Sequence, residues 1–307
     1  MEGEEGWWEA PAGQFGAAEL GVEVWLAGLH RGDALGPAGA SWAPGGFWAR
    51  GGGATTSPPA LRPWREVVAG LEGLPRSHRL AHLDQLETLV RLSPDIAAAK
   101  LSLCLPREGT PDALPGGEHP LQDLAHSEWL HGFALLVRAR GAGGGGWRVA
   151  CFAHGAFPRG GPRGLDGEVA PSRRGADYAS HSEVEALVRR YMVGEACGAS
   201  GGRAFTVDPG GKLRDEPLEE LAASSAGAEA DREGVLGGGI GSDDLLALQR
   251  YERVVSIDIA GEAAALARAQ LASPHGVRAA MLLLLRCGGH WEVVAVAHCL
   301  YPAPFPG

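Results

Sequence analysis

The stretch Gly146-Trp-Arg-Val-Ala-Cys-Phe-Ala-His154 returns later in the chain as His290-Trp-Glu-Val-Val-Ala-Val-Ala-His298. Trp147, Val149, Ala153 and His154 recur 144 residues on as Trp291, Val293, Ala297 and His298. A Gly-rich turn precedes each copy, and an apolar run precedes each turn (Phe133–Val137; Met281–Leu285). A period of this length exceeds a solenoid unit and matches a small domain. The chain therefore reads as one unit written twice.

Its 307 residues leave room for two domains, and 45% apolar content is enough for two packed cores. A net charge of −10, with no basic stripe and no run of five like charges, argues against a nucleic-acid surface. No stretch of 18 uninterrupted apolar residues is present, so no membrane span is expected. Met1–Gly6 is acidic and lacks the basic flank of a secretory signal, and the expected location is cytoplasmic. The five cysteines (104, 151, 197, 287 and 299) have no C-x-x-C spacing and read as reduced core residues.

Each half opens on a helical pattern. In the first, Leu20–His30 is expected to be helical. In the second, Ser182 fits an N-cap with Glu185 three residues on, and Val184, Leu187, Val188 and Tyr191 form one stripe. A shift of 166 residues sets Trp25 on Tyr191. A short aromatic piece follows (Ser41-Trp42; Ala204-Phe205), then a turn (Pro44–Gly46; Pro209–Gly211). A second helix pattern comes next (Trp64–Leu71; Leu218–Ser224), started by Pro63 and Pro217. Four strands close each half, ending in the repeated hairpin. Helices packed on one face of an antiparallel sheet make an α+β layout.

The second half, through Glu183–Tyr191, Phe205, Gly211–Leu221, Val255–Ala264 and Leu284–Val294, resembles the nuclear transport factor 2 superfamily. It is most similar to the lumazine-binding and SnoaL-like (polyketide cyclase) branch. A weaker likeness runs through Trp25, Gly32-Asp33, Trp42, Ile96–Leu105 and Trp147–His154. The resemblance implies two tandem cone-shaped domains, each a curved sheet wrapped around N-terminal helices with an apolar pocket at its wide end. The expected boundaries are residues 16–158 and 180–302, joined by a linker at 159–179. Members of that family dimerise through the outer sheet face, so a tandem implies a pseudo-dimer within one chain.

Strict alternation puts Trp291, Val293, Ala295 and Ala297 on one face, and Glu292, Val294, Val296 and His298 on the other. In the first half the matching outer set is Arg148, Ala150, Phe152 and His154. The two sheets are expected to pack together, with Ala150, Phe152, His154, Val294, Val296 and His298 at the interface.

The expected ligand pocket is apolar and lies in the second domain, lined by Leu187, Val188, Tyr191, Phe205 and Trp291. In the ketosteroid-isomerase branch a first-helix Tyr, at the place Tyr191 would occupy, donates to a substrate oxyanion. The handling of a proton also needs a base, and Asp208 and Asp215 follow Phe205 at about the right place. Both Asp residues equally suit turns beside Pro209 and Pro217, and Tyr191 equally suits a core aromatic. His181-Ser-Glu183 has the His-x-Glu of a zinc deaminase but no following Cys-x-x-Cys, so no metal is expected. No Walker loop, G-x-G-x-x-G or G-x-S-x-G is present, and no cofactor is expected. Three readings remain: a non-catalytic binder of a small apolar ligand, an isomerase or cyclase using Tyr191 and an Asp, and a scaffold that meets a protein partner through its sheet faces.

Overall fold

A computed structural model describes residues 15–31, 41–51, 58–72, 85–106, 127–138, 146–156, 174–192, 198–207, 212–220, 251–261, 263–273 and 276–302. The first half runs α1 (Phe15–Arg31), β1 (Trp42–Arg50), β2 (Ala60–Pro63), α2 (Trp64–Glu72), β3 (Gln85–Ser93), β4 (Ile96–Pro106), β5 (Ser127–Arg138) and β6 (Trp147–Ala156). The second runs α3 (Arg174–Met192), β7 (Arg203–Val207), β8 (Leu213–Pro217), β9 (Tyr251–Ala260), β10 (Ala264–Ser273), β11 (Gly276–Cys287) and β12 (His290–Pro302). The two six-stranded sheets have the same order, β2-β1-β6-β5-β4-β3 and β8-β7-β12-β11-β10-β9. The chain is α+β, one fold made twice.

Three features depart from the sequence reading. The sheets are mixed and not antiparallel throughout, since β1 pairs parallel with β6 and β7 with β12. Nearly a whole half of the chain separates the members of each pair, and a connection that long allows a parallel partner. The four- and five-residue strands β2 and β8 were also not anticipated. Each is mostly exposed or half-buried and has no period-two apolar signal.

The third departure is in α3. The helix starts at Arg174, so Ser182 is exposed in mid-helix and caps nothing. Glu185 instead meets Arg189 one turn on, at 2.8 Å. The last residues of the expected linker, 174–179, belong to this helix. Gly32-Asp33, Gly194 and Asp208 lie outside the described residues. No described helix is long and apolar enough to cross a membrane.

Three cores hold the molecule. Ala18, Val22, Trp25 and Leu29 of α1 pack on Trp42, Trp48 and Phe152. Val184, Val188 and Met192 of α3 pack on Leu282, Leu284, Trp291 and Val296. The third core lies between the two sheets, where Ile96, Phe133 and Leu135 meet Leu266, Met281 and Leu283. A fully buried Leu or Phe contributes roughly 1.5–3 kcal/mol. These side chains would face water if either half stood alone, so the halves stabilise one another.

A bulge decides which residues enter that third core. The β11–β12 register shifts between Leu283 and Leu284, and the β5–β6 register shifts between Leu135 and Leu136. These are equivalent places, because Leu283 faces Ala295 as Leu135 faces Cys151. One extra residue in each last strand puts neighbours Val294-Ala295 and Ala150-Cys151 on the same face. Polar contacts close one edge of the join. Lys100 Nζ reaches across to Asp258 Oδ1 at 2.9 Å and to Ile259 O at 3.2 Å. Arg268 holds the equivalent position in β10 but bonds Ser256 Oγ in its own half, at 2.7 Å.

Candidate functional site

The site is built from the start of the first strand in each half. Gly45 (φ 68°) lies two residues before Phe47, and Gly201 (φ 80°) two before Arg203. Phe47 pairs with Pro63, and Arg203 pairs with Pro217, so the two turns are equivalent. Positive φ favours glycine at both. A second reason is the other half of the chain. A Cβ on Gly45 would overlap the Asp215 carboxylate, and one on Gly201 would touch Leu61 Cδ1 at 3.5 Å. Each turn thus lies on the edge strand of the opposite half.

Beside this crossed contact is a cavity of about 680 Å³. Trp42, Phe47, Leu61 and Trp64 give it apolar walls, and Arg65 and Arg148 come from the same half. Gly201 and Arg203 come from the other half. Trp42 and Trp64 stack at 6.1 Å with their planes 8° apart. The Arg65 guanidinium is 5.5 Å from the centre of the Trp64 ring. Arg203 Nη2 donates to Asp215. Arg203 Nε and Trp42 Nε1 are buried with no hydrogen-bond acceptor. The volume is within the roughly 300–1,000 Å³ usual for small-molecule sites.

The residues expected to form a pocket do not share a face. Val188 and Trp291 are buried under α3, with Leu187 and Tyr191 half-buried against them. Phe205 belongs to the core between the sheets, so its own sheet separates it from the other four. Asp215 stands directly opposite Phe205 on β8 and takes that same face, away from Tyr191. The expected pairing of Tyr191 with Asp215 is corrected accordingly.

The expected interface set is also divided. Ala150 and Val294 are in the core between the sheets. Phe152 and Val296 face the helices instead, and so do His154 and His298, because the bulge inverts the alternation beyond it. His154 Nε2 accepts a hydrogen bond from Trp48 Nε1, and the ring stacks on Phe152 at 5.1 Å. Burial, with a smaller push from the charge of Arg50, takes its pKa down to about 3. His298 Nε2 is 2.8 Å from Thr206 Oγ1, and burial followed by the charge of Arg278 lowers its pKa to about 4. Among the described residues no group of three His, Cys, Asp or Glu is arranged to hold a metal.

The cavity was not anticipated from the sequence. The sequence sets Pro44–Gly46 against Pro209–Gly211, whereas in the structure the equivalent of Gly45-Gly46 is Gly201-Gly202. The available signal was weak, a glycine pair starting 18 residues before Pro63 and another starting 16 before Pro217.

No protein-family model matches the chain, and no curated protein matches it. Among solved structures it is similar to an NTF2-like protein of unknown function from Shewanella baltica (19% identity, 43% of this chain and 100% of that one, TM-score 0.32). It is also similar to a ketosteroid isomerase-like protein from Erwinia carotovora atroseptica (14% identity, 48% and 99%, TM-score 0.31). A third is an NTF2-like protein with a cystatin-like fold from Novosphingobium aromaticivorans (16% identity, 52% and 86%, TM-score 0.30). Each match takes in a share of the chain comparable to one of its halves.

Proposed function

We propose that the chain is a non-catalytic small-molecule-binding module, built as an intrachain pseudo-dimer, with its ligand in the cavity where the halves cross. The observation that carries this reading is the cavity itself, about 680 Å³ and lined from both halves. The spaces under the helices are packed with side chains instead. Trp25, Trp48 and Phe152 fill the first, and Val188, Leu282 and Trp291 fill the second. Against catalysis stands the separation of Tyr191 from Asp215. An oxyanion donor and a proton-moving base must reach one substrate, and here a sheet lies between them. Asp215 is moreover engaged by Arg203. The scaffold reading needs an uncovered sheet face, and both faces of each sheet contribute to buried cores.

The test is a ligand-observed NMR screen of the full chain with fragments of mixed charge. Bound fragments are expected to compete for one site. They should be lost in Leu61→Trp, whose indole would occupy cavity space, while the circular dichroism spectrum stays unchanged. No binding by any fragment, or fragments that persist in Leu61→Trp and are lost in Tyr191→Phe, would overturn the reading.

A further inference from the structure

We infer that the ligand of this cavity is a flat aromatic anion of the aromatic carboxylate class, an inference that rests on the cavity being a binding site. The first argument is charge. Acidic residues outnumber basic ones in this chain, 37 to 27. Among the described residues the cavity lining reverses that balance, with Arg65, Arg148 and Arg203 and no lining Asp or Glu. The adjacent Asp215 is paired with Arg203. Arg65 and Arg148 have no carboxylate partner among the described residues. Two cationic forks therefore remain beside an apolar wall.

The second argument is hydrogen bonding. The unsatisfied buried groups of the lining, Arg203 Nε and Trp42 Nε1, are both donors. Buried donors without acceptors are destabilising, and a ligand that supplies oxygen acceptors relieves them. A carboxylate offers only acceptors and matches the planar guanidinium in geometry. The third argument is shape. The near-parallel Trp42–Trp64 pair makes a flat wall, and the Arg65 guanidinium lies over Trp64. Such a wall suits a planar ring, whose edge-borne anion then reaches the arginines. The site adjoins the core under α1, to which Trp42 and Trp64 belong, and is completed by Gly201 and Arg203 of the other half.

The probes are naphthalene-2-carboxylate, its neutral analogue naphthalene-2-carboxamide, and acetate, titrated into the full chain at one ionic strength. One charge-assisted hydrogen bond predicts that the carboxylate binds about tenfold tighter than the carboxamide. Acetate should not compete at equal concentration, because it lacks the ring. Arg148→Gln should abolish the preference for the carboxylate, and Arg148→Lys should retain part of it. Arg189→Gln, on an exposed helix face, should change nothing. Should Arg148→Gln fail to fold, the exposed Arg65→Gln serves in its place. Equal affinity for the two naphthalene compounds, or a preference that survives both arginine changes, overturns the inference. So does binding of neither compound. The binding-module reading would still stand if fragments of another kind bind and are lost in Leu61→Trp.

Discussion

His154 is enclosed by Trp48 and Phe152, and its Nε2 already accepts the Trp48 indole N–H. A proton on that nitrogen would remove the acceptor and place a charge among aromatic rings. The folded chain therefore refuses the proton until about pH 3, while the unfolded chain takes it near the ordinary value of 6.5. Through that window the unfolded state binds more protons, so stability rises with pH. The contribution is fully present above pH 6.5 and is lost as the pH falls toward 3. His298 acts in the same direction between 6.5 and about 4. His154→Gln keeps an acceptor for Trp48 and does not titrate. Its urea midpoint should fall less than that of the parent between pH 7 and pH 4.5. Identical falls would show that His154 takes its proton alike in the folded and unfolded chains, against this account. The sequence placed both histidines at equivalent positions, and they are. It put them on the wrong face, because a bulge leaves no mark in the identity of any residue.

Helix α3 is an instance of a local rule overridden by its surroundings. Ser182 and Glu185 satisfy the capping-box pattern, yet the helix continues back to Arg174 and Ser182 is exposed. Loss of a true N-cap costs about 1 kcal/mol, whereas Ser→Ala at an exposed mid-helix position is neutral or stabilising by up to roughly 0.5 kcal/mol. Ser182→Ala should therefore leave the denaturation midpoint unchanged or raise it. A loss near 1 kcal/mol would place the helix start back at Ser182. Strongly periodic elements were legible in advance. The four strands expected to close the first half are β3 to β6, and the repeated hairpin appears as β11–β12, with Gly288-Gly289 at its turn. Short edge strands were not, since β2 and β8 bury too little to impose a pattern.

At the scale of the whole molecule, the repeat announced two units, and the expectation that their sheets pack together came from the family resemblance; strict alternation put Phe152 and Val296 on the wrong face. The cavity stayed hidden because its parts are brought together only by that meeting. Nothing local ties Gly45 to Asp215, or Gly201 to Leu61, and the glycines read as ordinary turn residues. The two halves are also unequal where they cross. Phe47 and Leu61 stand in one where Arg203 and Asp215 stand in the other, so apolar wall and charge come from opposite sides. This division leaves the described cavity asymmetric within a symmetric frame. The most direct test of the account is a crystal structure of the full chain with naphthalene-2-carboxylate bound. The account predicts the ring against Trp64 and the carboxylate within hydrogen-bond reach of Arg148, between the two halves. A ligand found under α3 beside Tyr191 would contradict it.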